Sequence, residues 1–119
     1  MFLAYRIENQ TAKHGIWRNF DGTWNPIFSK LSDGQCKSLP MEDSDLYRVN
    51  GKQWFSSAPS KETLKHWFSK QDAIELIDLG YRVYEFELRD AKKVNDFEFI
   101  FTRDNIISQR EIDYREVYR

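Results

Sequence analysis

The chain has 119 residues, 31% charged and 40% hydrophobic, with a formal net charge of −1. That length suits one domain over residues 1–119, and the near-neutral balance supplies no field for nucleic acid or an acidic membrane. The single cysteine, Cys36, excludes an intrachain disulfide. No apolar run approaches the roughly 18 residues of a membrane span, and Arg6 falls too early for a signal peptide, so a cytoplasmic protein is expected.

Phe2 to Ile7 is predicted as a strand, with Leu3, Tyr5 and Ile7 on one face and Phe2, Ala4 and Arg6 on the other. Arg6 there reads as a solvated edge residue, or as an anion contact inside a cleft. Glu8 to Lys13 is polar and predicted to turn. Gly15 to Arg18 is a candidate short strand. Residues 19–50 are the least regular part, with Gly22, Pro26, Gly34 and Pro40 among many Asn, Asp and Ser. Trp17, Phe20, Trp24 and Phe28 make this segment rich in rings, and long loops are often functional. Ile27, Phe28 and Leu31 suit one helical turn. The carboxylates of Met41 to Asp45 lack calcium-loop spacing and read as a solvated loop. Leu46 to Val49 is predicted to turn at Asn50-Gly51 towards Trp54-Phe55, because Asn-Gly is a strong hairpin signal.

The most regular stretch runs from Gly51 to Ser108. Ser60 can cap a helix, with Pro59 holding the chain extended before it. Leu64, Trp67 and Phe68 fall on one helical face. Ser69 with Asp72 imitates a capping box, and Ala73, Leu76 and Ile77 repeat the spacing. The pattern predicts two short helices, or one kinked near Ser69, ending at Gly80 as the left-handed C′ residue. From Tyr81 to Leu88 the period becomes two: Tyr84, Phe86 and Leu88 point one way, and Val83, Glu85 and Glu87 the other. Asp90 to Asp96 reads as a loop. Phe97, Phe99 and Phe101 then alternate with Glu98 and Ile100, so residues 81–88 and 97–101 are expected to pair antiparallel as the main sheet. Towards the C-terminus Ser108 with Glu111 forms a capping box, while Ile106 and Ile107 prefer strand; a last strand around 106–112 is favoured and the remainder is left open. The fold class is α+β: a small, mostly antiparallel sheet against one or two short helices over about residues 60–79.

Few residues carry chemistry at diagnostic spacing. His14, His66 and Cys36 have no neighbouring ligand in a metal-like pattern, so no metal is assigned. Glu85 and Glu87 share a strand face, as do Glu98 and Ile100, and both pairs read first as a wet sheet face. Lys61, Lys65 and Lys70 around Trp67 read as a solvated helix face, which argues against nucleic acid.

The order of parts resembles small phage and prophage proteins of unknown function. The likeness rests on Tyr5-Arg6-Ile7-Glu8, Gly15, Trp17-Arg18, the Ser60, Leu64, Trp67, Phe68 helix, and Gly80-Tyr81, Val83, Tyr84-Glu85. More loosely, the chain is similar to a minimal ADP-ribosyltransferase-type scaffold. That likeness implies that Arg6 holds the nicotinamide-side phosphate or ribose of NAD, Ser56 supports the nicotinamide pocket, and Glu98 binds the ribose hydroxyl and stabilises an oxocarbenium-like centre. The chain departs from the family in its shortness, in having only Ser56-Ser57 for a Ser-Thr-Ser element, and in placing Asp96 two residues before Glu98. Two readings result. The favoured one is a non-catalytic binding or inhibitory protein, needing no cofactor, that meets a protein partner through Trp17, Phe20, Trp24 and Phe28. The alternative is NAD-dependent ADP-ribosyl transfer by Arg6, Ser56 and Glu98.

Overall fold

A computed structural model describes residues 1–11, 27, 30–33, 48–49 and 52–118. The strand predicted at 15–18 and the four rings at Trp17, Phe20, Trp24 and Phe28 lie outside those residues, as does the acidic run 41–45. The elements run β1 (Phe2–Asn9), β2 (Arg48–Val49), β3 (Lys52–Gln53), β4 (Phe55–Ser57), α1 (Lys61–Trp67), α2 (Lys70–Asp78), β5 (Tyr81–Leu88), β6 (Lys92–Asn95), β7 (Glu98–Phe101) and β8 (Ile106–Ile112). Pairing is antiparallel throughout, in two three-stranded sheets of order β1-β5-β8 and β4-β7-β6, with β2-β3 a separate ribbon. This is the α+β class that the alternation predicted. The β2-β3 ribbon pairs Val49 with Lys52, where Asn50-Gly51 signalled a hairpin.

The helical stretch divides in two because each half has its own cap. Ser60 Oγ accepts from the Thr63 amide at 3.1 Å, and Ser69 Oγ accepts from the Asp72 amide at 3.0 Å. The Asp72 carboxylate takes the Ser69 amide in return, completing the box. Beyond α2, Gly80 adopts φ +95°, which an L side chain resists. An added Cβ there would meet only Asn9 Nδ2, at 3.8 Å, so the space is open and the backbone sets the cost. Gly80→Ala is expected to lower unfolding free energy by about 1–2 kcal/mol with unchanged spectra, measured by urea titration.

The two sheets face each other. Ala4, Tyr84, Phe86 and Leu88 of the first meet Phe55 and Phe101 of the second, with the Phe86 and Phe101 centroids 5.2 Å apart. The other face of the first sheet receives the helices: Tyr5, Ile7, Val83 and Ile112 pack with Leu64, Trp67, Phe68 and Leu76. Val117 and Tyr118 close that core from the C-terminus, past a 3-10 turn at Tyr114–Glu116. Ile27 and Leu31 pack there too, while Phe28, the third residue of their predicted helical turn, lies outside the described residues.

Three expectations are corrected. Strands 81–88 and 97–101 do not pair side by side: β5 lies between β1 and β8, and β7 between β4 and β6. Their apolar faces oppose one another across the sandwich, and alternation reports a strand's faces but not its neighbours. The predicted loop at 90–96 contains β6, which returns on β7 as a hairpin. The predicted turn at Glu8 is the end of β1, where Glu8 and Asn9 pair with Arg82 and Tyr81.

The wet-face reading holds in part for β5. Glu85 accepts from Tyr5 Oη at 2.9 Å and pairs with Arg110 at 3.2 Å. Burial and then the hydrogen bond to the Glu85 carboxylate push the Tyr5 hydroxyl up to about 12 from an ordinary 10.0. The folded state therefore keeps that proton where the unfolded chain loses it, and this stability is present below pH 10.0 and lost as pH rises towards about 12. Urea unfolding from pH 9 to 11 is expected to show falling stability, with a shallower fall in Tyr5→Phe.

Candidate functional site

β1 and β4 join through one bridge. Tyr5 N donates to the Ala58 carbonyl at 2.8 Å and Ala58 N to the Tyr5 carbonyl at 2.7 Å. Were the ladder to continue, the next hydrogen-bonded pair would be Ile7 with Ser56. Instead the strands part, and Arg6 Nη1 donates to the Ser56 carbonyl at 2.8 Å. A guanidinium thus takes the place of a backbone amide where β1 and β4 stop pairing.

The periodicity of β1 puts Arg6 and Glu8 on the same side as Ala4, facing inward. The register pairs Ser56 with Ile100 and Ser57 with Phe99, so Ser56 and Glu98 are diagonal neighbours on one face of the second sheet. Ser56 Oγ donates to Glu98 Oε2 at 2.6 Å, a short charge-assisted geometry. Arg6, Ser56 and Glu98 thus meet at Ser56, but on two faces of β4: Arg6 reaches its backbone carbonyl and lies over Phe55 between the sheets, whereas the Ser56 hydroxyl and Glu98 lie on the face opposite Phe55 and Phe101. Two readings of solvation are corrected here: Arg6 is buried at 8% exposure rather than a wet edge residue, and Glu98 and Ile100 are buried rather than on a wet face. Buried ionic groups persist only where partners replace water, which Glu8 and the Ser56 carbonyl do for Arg6.

Two further residues complete the cluster. Glu8 Oε1 accepts from Arg6 Nε at 2.7 Å and from Arg103 Nη2 at 2.6 Å, while Oε2 takes Arg103 Nη1 at 3.3 Å. Arg103 comes from a 3-10 turn, Arg103–Asn105, directly beyond β7. Its guanidinium stacks 4.4 Å from the Phe55 ring centroid, with Arg6 5.3 Å from the same ring. Burial, and then the negative charge of Glu8, raise the Tyr84 hydroxyl above its ordinary range. Glu8 was legible only as a carboxylate two residues from Arg6 and hence on its face. Arg103 carried no signal beyond following an aromatic strand.

A carboxylate steadied by a hydroxyl can hold ligand hydroxyls, and guanidiniums can hold anions. Among the described residues, no group of three or more His, Cys, Asp and Glu converges to hold a metal ion. No helix among them is long and apolar enough to cross a membrane. Trp17, Phe20, Trp24 and Phe28 are not brought into this geometry, lying outside the described residues.

The small α+β chain built around this cluster is a phage accessory protein by kinship. A family model matches residues 1–115, and the chain belongs to the bacteriophage T4 Y00F protein family. No curated protein and no solved structure matches it.

Proposed function

We propose that this phage protein carries an ADP-ribosyltransferase-type site that uses NAD as substrate. The observation that supports the reading is the meeting of the three residues at Ser56, whose hydroxyl donates to Glu98 at 2.6 Å and whose backbone carbonyl accepts from Arg6 at 2.8 Å. In the reaction, the bond between nicotinamide and the ribose C1′ breaks, and its electron pair leaves with nicotinamide. The ribose carbon becomes oxocarbenium-like, an acceptor nucleophile bonds to it, and the acceptor's proton passes to solvent. Glu98 takes the ribose 2′-hydroxyl and sets negative charge beside the developing cation. Ser56 holds that carboxylate in place, and Arg6 ties β1 to β4 beside it. A buried carboxylate suits the role, because charge stabilisation is stronger away from water.

The test is to incubate the full chain with NAD and a bacterial extract, following free nicotinamide and transfer of a label on the adenylate. Nicotinamide release above the blank is expected, and its absence over hours would overturn the reading. A second reading, a non-catalytic binding or inhibitory protein acting on a macromolecular partner through Trp17, Phe20, Trp24 and Phe28, draws on a different observation. Met1, Phe2, Leu3 and Ile107 are exposed at one end of the first sheet, and such apolar ends favour docking. This reading expects no nicotinamide release in the same assay.

A further inference from the structure

Among the described strands, the two sheets end on outer strands of opposite character. β6, at the edge of the second sheet, carries Lys92 and Lys93, both exposed, and lysines discourage one edge from pairing with another. β8, at the edge of the first sheet, has neither lysine nor proline, and its residues 107–111 are all exposed. Since neighbours along a strand face opposite ways, β8 stands clear of the helices on one side and of the second sheet on the other. Its backbone directions follow from the register. Tyr5 turns its N–H and C=O to Ala58, so Glu85, opposite Tyr5 on β5, turns its own to Arg110. Ser108, Arg110 and Ile112 therefore bond inward to β5, while Gln109 and Glu111 direct N–H and C=O outward.

We propose that β8 pairs antiparallel with β8 of a second copy, about a two-fold axis at Gln109, joining the two first sheets edge to edge. Charge selects this occupant. Tyr5, Glu85 and Arg110 lie in one row across the sheet, and the pairing continues that row with the partner's Ser108, the partner's Glu87 and the partner's Leu3. Arg110 then stands between its own Glu85, 3.2 Å away, and the partner's Glu87, with only a small serine intervening. The same strand selects the register. Centring on Arg110 would set the two arginines directly opposite, which is destabilising. Centring on Ser108 would put Ile107, the extra residue where the β5-β8 register shifts, next to the axis. A two-fold contact uses the same edge on both copies, so the assembly closes as a dimer.

Sedimentation of the full chain over a roughly hundredfold concentration series is expected to show a monomer–dimer equilibrium. Gln109→Pro removes an N–H that points away from β5, and it should weaken the dimer about tenfold or more with an unchanged far-UV spectrum. Disulfide trapping reads the register without that risk to folding. The only cysteine is Cys36, so the background is Cys36→Ser. Gln109→Cys should link two copies under mild oxidant, because hydrogen-bonded partners sit about 5.5 Å apart at Cα. Arg110→Cys should link far more slowly, since its two copies lie on a diagonal of about 7–8 Å. A monomer at every concentration would overturn the proposal, and it is also the result expected if a strand of another protein occupies this edge. A dimer indifferent to Gln109→Pro, or faster trapping at position 110 than at 109, would overturn it as well.

Discussion

Glu8→Gln should be the most destabilising conservative change in the described chain, lowering unfolding free energy by about 3–5 kcal/mol. The side chain is 2% exposed and takes three N–H groups from two guanidiniums. Glutamine keeps the volume, so no cavity term enters. It removes the negative charge, however, and leaves Arg6 and Arg103 facing one another inside the sandwich. Their repulsion has little water to screen it. Total stability for a domain of this size is about 5–15 kcal/mol, so the variant would sit near the edge of folding. Urea unfolding at neutral pH checks it, and a loss below about 1 kcal/mol would mean that the network contributes little. Adding Arg103→Met should recover part of the loss, since the remaining Arg6 still has the Ser56 carbonyl.

Glu98→Gln should cut nicotinamide release by about 10²–10³-fold while leaving the fold intact. The amide is isosteric and can still accept from Ser56 Oγ, so the 2.6 Å contact survives in weakened form. What disappears is the negative charge that the proposed reaction sets beside the ribose carbon. The informative pattern is a fall in kcat with KM little changed, because the charge matters most in the transition state. Ser56→Ala should follow the same direction more mildly, since it removes one hydrogen bond to the carboxylate rather than neutralising it. Equal turnover in wild type and Glu98→Gln would remove Glu98 from the chemistry.

Local rules made much of this molecule readable before its coordinates. Ser60, Ser69 and Gly80 each announce a helix boundary through their own chemistry, and the helices end where those residues say. The strands at 81–88 and 106–112 follow from period-two alternation and β-branched residues. Pairing was not readable, because Phe86 and Phe101 would be apolar and alternating whether they lay beside or across from one another. β6 escaped because Lys92, Lys93 and Asn95 read as loop residues, yet lysine on an outer strand also discourages unwanted pairing. The candidate site was named in part. Arg6, Ser56 and Glu98 came from a family likeness, whereas their burial ran against the ordinary habit of charged strand residues. Glu8 and Arg103, which are 95 positions apart, could meet only through the fold.

The single bridge at Tyr5 and Ala58 has a mechanical consequence. Backbone hydrogen bonding along β1 transmits tension to β5 and β8, but towards β4 the described backbone bridge is the isolated one at Tyr5 and Ala58, seconded by the Arg6 side chain on the Ser56 carbonyl. Shear between the layers must therefore be carried by the stacked rings of Phe55, Phe86 and Phe101 and by the guanidiniums leaning on them. Side chains rather than a continuous ladder therefore set the resistance of the sandwich to shear at this joint.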